Sequence, residues 1–280
     1  MPESPRAFEI GAAEGVTLAG EASGEGMPVV LLHGLTATRR YVVMGSRLLE
    51  REGHRVIAYD ARGHGRSGPA SSADAYSYEL LAADLLALLD ALGVERALLA
   101  GASMGAQTAL RFALEHPERV AALCLITPAF DPEAQASYGS WDRLARGLRE
   151  GGVEGFLAAY DLDAVPAQWR ETVLKAMRQR LSAHEHPLAV ADALEAVPRS
   201  RPFERWQDLA AIAAQTLVVA SRDQADPGHP LAVAERCARA IPDARLVVEQ
   251  EGPPAQSPIA WQGGRLSKLI AALLQEAPSK

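Results

Sequence analysis

The clearest chemical signal in the chain is the segment Leu98-Leu99-Ala100-Gly101-Ala102-Ser103-Met104-Gly105-Ala106-Gln107, which reads as a short apolar strand, a G-x-S-x-G turn and the start of a helix. At a strand-to-helix turn this pattern has a mechanical meaning. Small glycines at 101 and 105 let the turn close tightly and lift the Ser103 hydroxyl above the end of the strand. Met104 then opens the helix, so its N–H points, with the positive end of the helix dipole, to where an oxyanion would form. A second donor is required, and the Leu35 N–H is the candidate, because it follows the apolar run Val29-Val30-Leu31-Leu32 and the His33-Gly34 turn. The chemistry implied is attack of a serine oxygen on a carbonyl carbon, with the developing charge held by two backbone donors.

Groups so placed need a rigid support, and the sequence supplies one. Apolar runs rich in Val, Leu and Ile occur at Val29 to Leu32, Val56 to Tyr59, Ala97 to Ala100, Val120 to Ile126, Thr216 to Ala220 and Arg245 to Val248, with helical patterns between most of them. Near-continuous apolar strands alternating with amphipathic helices predict an α/β fold with a mostly parallel sheet covered on both faces. The clearest helix follows Ser77 as N-cap, carries Leu81, Leu85, Leu88 and Leu92 on one face and stops at Gly93. Phe8 to Gly20 reads as an N-terminal hairpin leading into the sheet. From Asp131 to Trp206 the strand signal disappears, and Leu-, Ala- and Arg-rich stretches are broken by Gly151-Gly152, Pro166, Pro187 and Pro198. The expectation is a core domain of residues 1–130 and 207–280 with a helical cap, 131–206, inserted between two core strands.

The His33-Gly34 segment, the loop Asp60-Ala61-Arg62-Gly63-His64-Gly65-Arg66-Ser67-Gly68 and the elbow at Ser103 occur in the order and spacing of the α/β-hydrolase family, which the chain resembles over residues 8 to 130 and 207 to 275. The resemblance implies a cofactor-independent serine hydrolase in which His33 and His64 pack loops beneath the site. Close relatives that dehalogenate substrates or open epoxides need an aspartate where Ser103 stands, which argues against those two activities.

The resemblance also locates the acid, after Thr216 to Ala220, in Ser221-Arg222-Asp223-Gln224-Ala225-Asp226-Pro227-Gly228-His229-Pro230. Asp226 falls at the expected distance from Ile241-Pro242, Asp223 comes early, and Asp131 is a third choice; alternatively, either aspartate of the loop caps the following helix. The family's catalytic histidine follows the last strand, but here the sequence runs Glu249 to Trp261 without one, and no histidine follows His229. A serine hydroxyl is a weak nucleophile without a base, and a base must come within about 3 Å of it directly or through one water.

Three readings follow from that gap. In the first, a histidine from elsewhere substitutes: His229, three residues beyond Asp226, leads, with His184 or His186 descending from the cap, though these two flank a glutamate and also read as a solvated helix end. Their i, i+2 spacing does not suit a metal pair. In the second, the protein binds a ligand without turnover; this reading takes the lead if every histidine lies more than about 8 Å from the Ser103 hydroxyl. In the third, a lyase or isomerase reaction uses the pocket without acylating Ser103.

The remaining expectations are simpler. The chain has 28 Lys and Arg against 35 Asp and Glu, a net charge of −7 spread along its length, which argues against nucleic acid or an anionic membrane as partner. Cys124 and Cys237 fit neither a disulfide framework nor a zinc site, and no apolar signal segment opens the sequence, so a reducing cytoplasm is expected. Neither cofactor nor metal is called for, the partner is a small apolar or acyl-type substrate, and the reading leaves room for a homodimer. Tyr138, Trp141, Phe156, Tyr160, Trp169, Phe203 and Trp206 are candidates either to line the substrate pocket or to pack cap on core. The leading expectation is a hydrolase of small esters, thioesters or lactones with Ser103 as nucleophile, Asp226 as acid, His229 as base and Leu35 and Met104 as oxyanion donors.

Overall fold

All six apolar runs become strands of one sheet in the computed structural model, which describes residues 4–222, 226–249 and 258–276. The strands are β1 (Arg6–Gly11), β2 (Thr17–Ser23), β3 (Pro28–Leu32), β4 (Arg55–Tyr59), β5 (Ala97–Ala102), β6 (Val120–Ile126), β7 (Thr216–Ala220) and β8 (Ala244–Val248). The α-helices are α1 (Leu48–Arg51), α2 (Tyr78–Ala91), α3 (Met104–Glu115), α4 (Gly139–Ala159), α5 (Ala167–Leu181), α6 (Pro187–Ala196), α7 (Leu231–Ala240) and α8 (Gly263–Glu276). Spatial order is β1-β2-β4-β3-β5-β6-β7-β8, with β4 through β8 parallel and the β1–β2 hairpin added antiparallel at one edge.

The strands are apolar on both faces because both faces are covered. Val30, Leu32, Leu99, Leu125 and Val218 face α2, α3 and α7, whereas Val29, Leu31, Leu98, Cys124 and Val219 face α1 and α8. Each fully buried Leu or Val adds roughly 1.5–3 kcal/mol to this two-sided core. The Ser77 hydroxyl accepts the Leu80 N–H at 3.2 Å to start α2, and Gly93, at φ 63°, ends it.

Between β6 and β7 the chain is helical. Gly152 (φ 59°) kinks α4 without ending it, while Pro166 and Pro187 mark the starts of α5 and α6, positions where the missing proline N–H costs nothing. Leu144, Leu148, Phe156, Leu181, Val190 and Leu194 form a separate apolar cluster. Ala189 and Ala193 of α6 then pack with Tyr76, Leu81 and Met104, which seats these helices over the turn that carries Ser103. Phe203 and Trp206, candidates for the pocket in the sequence, pack instead in the main core, where Phe203 meets Phe130 edge-on at 5.1 Å. Trp169 stands edge-on to Trp261 at 5.8 Å, and Tyr138 lies under the Arg199 guanidinium. These rings contribute packing.

The loop after β4 is held from below by a fully buried ion pair. Arg62 Nε and Nη2 lie 2.7 and 2.8 Å from the two oxygens of Asp84 on α2, and Nη1 donates to the Ala75 carbonyl at 2.7 Å. Arg62→Met would strand the Asp84 carboxylate in the core and is expected to cost about 3 kcal/mol. A shift in the urea midpoint measures it; a loss under about 1 kcal/mol would mean that Asp84 is not held by this pair.

Candidate active site

Ser103 adopts φ 52°, ψ −114°, a strained conformation for a non-glycine residue, of the kind that costs on the order of 1–3 kcal/mol. The surroundings enforce it. A Cβ at Gly101 would lie 2.2 Å from the Gly105 carbonyl oxygen, and one at Gly105 would lie 2.1 Å from the Leu32 carbonyl oxygen, so only glycine permits this approach of β3, β5 and α3. The Ser103 N–H donates to the Ile126 carbonyl at 2.9 Å, and its own carbonyl accepts from Ala106 and Gln107. Gly34 packs directly on Ser103, within 3.3 Å of its Cβ when a Cβ is built on the glycine, so the Leu35 loop runs beside the hydroxyl. Neither the Leu35 N–H nor the Met104 N–H is engaged by another acceptor among the described residues.

His229 reaches this hydroxyl. Its Nε2 is 2.8 Å from Ser103 Oγ, and its Nδ1 is 2.8 Å from Asp226 Oδ1. The turn Asp226-Pro227-Gly228-His229 makes both contacts possible: Pro227 presets its backbone angle, and the His229 N–H donates to the Asp226 carbonyl at 3.1 Å, folding the two side chains together. So short a tether brings the carboxylate in off the Nδ1–H axis, which makes the contact an ion-pair approach and not an aligned hydrogen bond. A carboxylate there still favours the tautomer with its proton on Nδ1, leaving the Nε2 lone pair for the serine. Burial by itself would raise the Asp226 carboxyl; the neighbouring His229 and Arg180 outweigh it and hold the group below the usual carboxylate range.

The alternatives from the sequence go elsewhere. Asp226 does not cap α7, whose N-cap is Pro230. Asp131 accepts the Trp206 indole N–H at 3.2 Å and the Glu133 N–H at 2.9 Å. Asp223 lies outside the described residues, as do residues 250–257 of the stretch after β8. Within that stretch Glu249 is buried, its two oxygens accepting the Arg222 and Ile259 N–H groups, each at 2.6 Å, which ties the loop after β7 to the end of β8. No sequence pattern marked Glu249, because its role depends on two loops distant in the chain.

His186 is exposed at the start of α6, but His184 is not part of a solvated helix end: it is buried. Its Nδ1 accepts the Gly65 N–H at 2.8 Å and its Nε2 donates to the Thr36 carbonyl at 3.0 Å, so it joins the inserted helices to both loops beside the site. Thr36 has φ 67°, and this bond helps fix the backbone beyond Leu35. His33 donates to the Gly34 carbonyl and accepts the Ala61 N–H, pinning the same two loops together. His64 lies between them, its ring centroid 5.2 Å from that of His33 and 5.5 Å from that of His184. Burial keeps all three neutral, with His184 lowered to about 4.

Burial pushes the Cys124 and Cys237 thiols up to about 12, which leaves both inert. Among the described residues no three His, Cys, Asp or Glu side chains are arranged to hold a metal ion, and no helix is long and apolar enough to cross a membrane.

Residues 27–256 match the alpha/beta hydrolase fold family. A putative carbamate hydrolase, RutD, of Variovorax paradoxus is 33% identical over 239 residues, 85% of this chain and 88% of that protein. Among solved structures, a thermophilic esterase from Thermogutta terrifontis, with malate bound, superposes with a TM-score of 0.78 at 29% identity, covering 98% of this chain and all of that one. Est816, described as an N-acyl homoserine lactone degrading enzyme, gives 0.72 at 27% identity, over 96% of this chain and all of that one.

Two measurements check the geometry. Gly105→Ala drives a methyl into the Leu32 carbonyl and is expected to destabilise the fold by about 3 kcal/mol, read from urea melts; retention of full stability would mean that α3 and β3 do not meet as described. His184 has its folded-state pKa below the unfolded value near 6.5, so the unfolded chain binds the extra proton between those values. Its contribution is therefore complete above about pH 6.5 and is lost as the pH falls toward 4. His184→Gln, which keeps one acceptor and one donor, is expected to flatten the stability-versus-pH slope in that window; an unchanged slope would show that His184 is not the group being protonated.

Proposed function

Since the chain belongs to the alpha/beta hydrolase fold family, we propose that it is a serine hydrolase of small esters, lactones or carbamates whose base has moved from the loop after β8 to the loop after β7. The observation that carries this reading is the 2.8 Å separation of His229 Nε2 from Ser103 Oγ. The relatives' names span an ester, a lactone and a carbamate, which share a carbonyl carbon open to attack by an oxygen nucleophile.

In this mechanism His229 Nε2 takes the Ser103 proton as Oγ bonds to the carbonyl carbon, and the imidazolium is stabilised by Asp226. The carbonyl oxygen takes up the negative charge between the Leu35 and Met104 N–H groups, whose direction is set before substrate arrives. His229 then delivers its proton to the leaving oxygen or nitrogen as that bond breaks. Water, deprotonated by the same nitrogen, attacks the acyl-enzyme and restores Ser103. Residues 131–206 serve as a cap over the cleft, with α6 seated against Met104 and Leu35. The binding-without-turnover reading takes the lead only if every histidine is far from the serine, and the His229 contact counts against that.

Labelling with a fluorophosphonate, read by intact mass, and hydrolysis of 4-nitrophenyl acetate test the proposal. Wild type is expected to be labelled once; Ser103→Ala and His229→Ala should lose labelling and about 10⁴-fold or more of turnover, and Asp226→Ala at least about tenfold less than either. Unlabelled, inactive but folded wild type, or a fully active His229→Ala, would sink it.

A further inference from the structure

The arginine that the proposed mechanism does not use is Arg180, in the last turn of α5. Its neighbours on that helix and across the fold find partners: Arg178 is bidentate to Glu154, Arg149 holds Asp192 and Glu195, and Arg39 and Arg47, beside a separate cavity of about 530 Å³, hold Asp60 and Glu50. Arg180 has neither a carboxylate within ion-pair distance nor a hydrogen-bond acceptor for its side chain among the described residues. Its Nε is shut off from solvent and unpartnered, although the residue as a whole keeps partial access.

The next residue, Leu181, packs in the cluster against which Leu35 and Tyr160 lie, which puts this end of α5 near the Ser103 turn, and the groups that act on the Arg180 charge are Asp226, Tyr41 and Tyr160. Two ordinary roles fail to account for it. Complementing the carboxyl end of α5 does not require burial, since Arg178 in the same turn does so from an exposed position. Its charge helps His229 to hold Asp226 ionised, but only at a distance; the group in contact with that carboxylate is His229, at 2.8 Å, so this role engages none of the guanidinium N–H donors. Burial lowers the Arg180 pKa, and Asp226 and the two phenols do not fully offset this; the Nε–H meanwhile has no acceptor among the described residues. Burying charge without a partner is unfavourable, and a guanidinium remains charged in any protein. The Tyr160 phenol is pushed up by burial and by Asp226, so it remains a neutral hydrogen-bond donor.

The partner that suits a planar guanidinium fork is a planar anion with two oxygens. We propose that Arg180 is a specificity-determining residue that binds a carboxylate carried by the substrate, so that the preferred substrates are small esters, lactones or carbamates bearing a carboxylate in addition to the bond that is cleaved. The proposal rests on the serine hydrolase reading and deepens it. Of the small apolar or acyl-type substrate expected from the sequence, it keeps the acyl group and adds an anionic one.

The experiment compares matched esters: 4-nitrophenyl hemisuccinate against 4-nitrophenyl butyrate, with the carboxylate on the acyl side, and 4-acetoxybenzoate against phenyl acetate, with it on the leaving group. For each pair the ratio of kcat/KM, charged over neutral, is measured in wild type, Arg180→Lys and Arg180→Met. A general effect on the triad through Asp226 cancels in the ratio. At least one ratio is expected to fall tenfold or more in Arg180→Met, chiefly through KM, with Arg180→Lys between the two. Ratios unchanged in both pairs would overturn the proposal, whatever happens to the absolute rates. To separate this from failure of the hydrolase reading, 4-nitrophenyl hemisuccinate is titrated calorimetrically into Ser103→Ala and into Ser103→Ala/Arg180→Met. At least tenfold weaker binding in the double variant supports the carboxylate site even if wild type turns over no ester; equal affinity, or no binding to either, overturns it.

Discussion

The contact that the site depends on is between backbones: the Gly105 backbone against the Leu32 carbonyl, and the Gly101 backbone against that of Gly105, too close for any side chain. That approach locks the end of β5 to the start of α3 and holds Ser103 at a positive φ against its own preference. The strain is sustained because the two-sided core on either face of the sheet leaves the turn no other way to close. Both proposed oxyanion donors follow from the same constraint. Met104 is the first residue of the helix that the turn launches, and Leu35 follows the strand whose end the turn touches.

A base for a serine fixed in this way can come from more than one loop. General-base catalysis requires a nitrogen at hydrogen-bond distance and a favoured tautomer; it does not prescribe which loop supplies them. Here a four-residue turn carries both Asp226 and His229, the proposed acid and base. The arrangement has a geometric cost, because a carboxylate tethered three residues away approaches the imidazole off the N–H axis. Glu249 meanwhile stands at the end of the last strand, where one oxygen accepts the Arg222 N–H of the loop that leads to the turn and the other accepts the Ile259 N–H beyond β8.

The inserted helices are more than a cover. His184 reaches from them to Gly65 and Thr36, and His33 ties together the same two loops from the core side. These bonds need neutral imidazoles, which burial provides, so the placement of the Leu35 loop and the attachment of the helices depend on the same protonation states.

By itself the sequence determined the strands, the parallel α/β class, the helix from Ser77 to Gly93 and the Ser103 elbow, because each depends on local periodicity, on caps, or on glycines within a few residues of one another. Asp226 and His229 were legible as a pair for the same reason: a Pro-Gly turn spans only four positions. Tertiary structure alone decided that His229 meets Ser103, 126 residues away in the chain. It also decided that His184 is a buried brace, that Phe203 and Trp206 belong to the core, and that Glu249 joins two loops. Arg180 illustrates the limit: in sequence it is one more basic residue in a helix rich in them, and only packing shows that its Nε is closed off from solvent with no partner among the described residues. Side-chain roles of that kind depend on what lies opposite in space, and no local spacing encodes it.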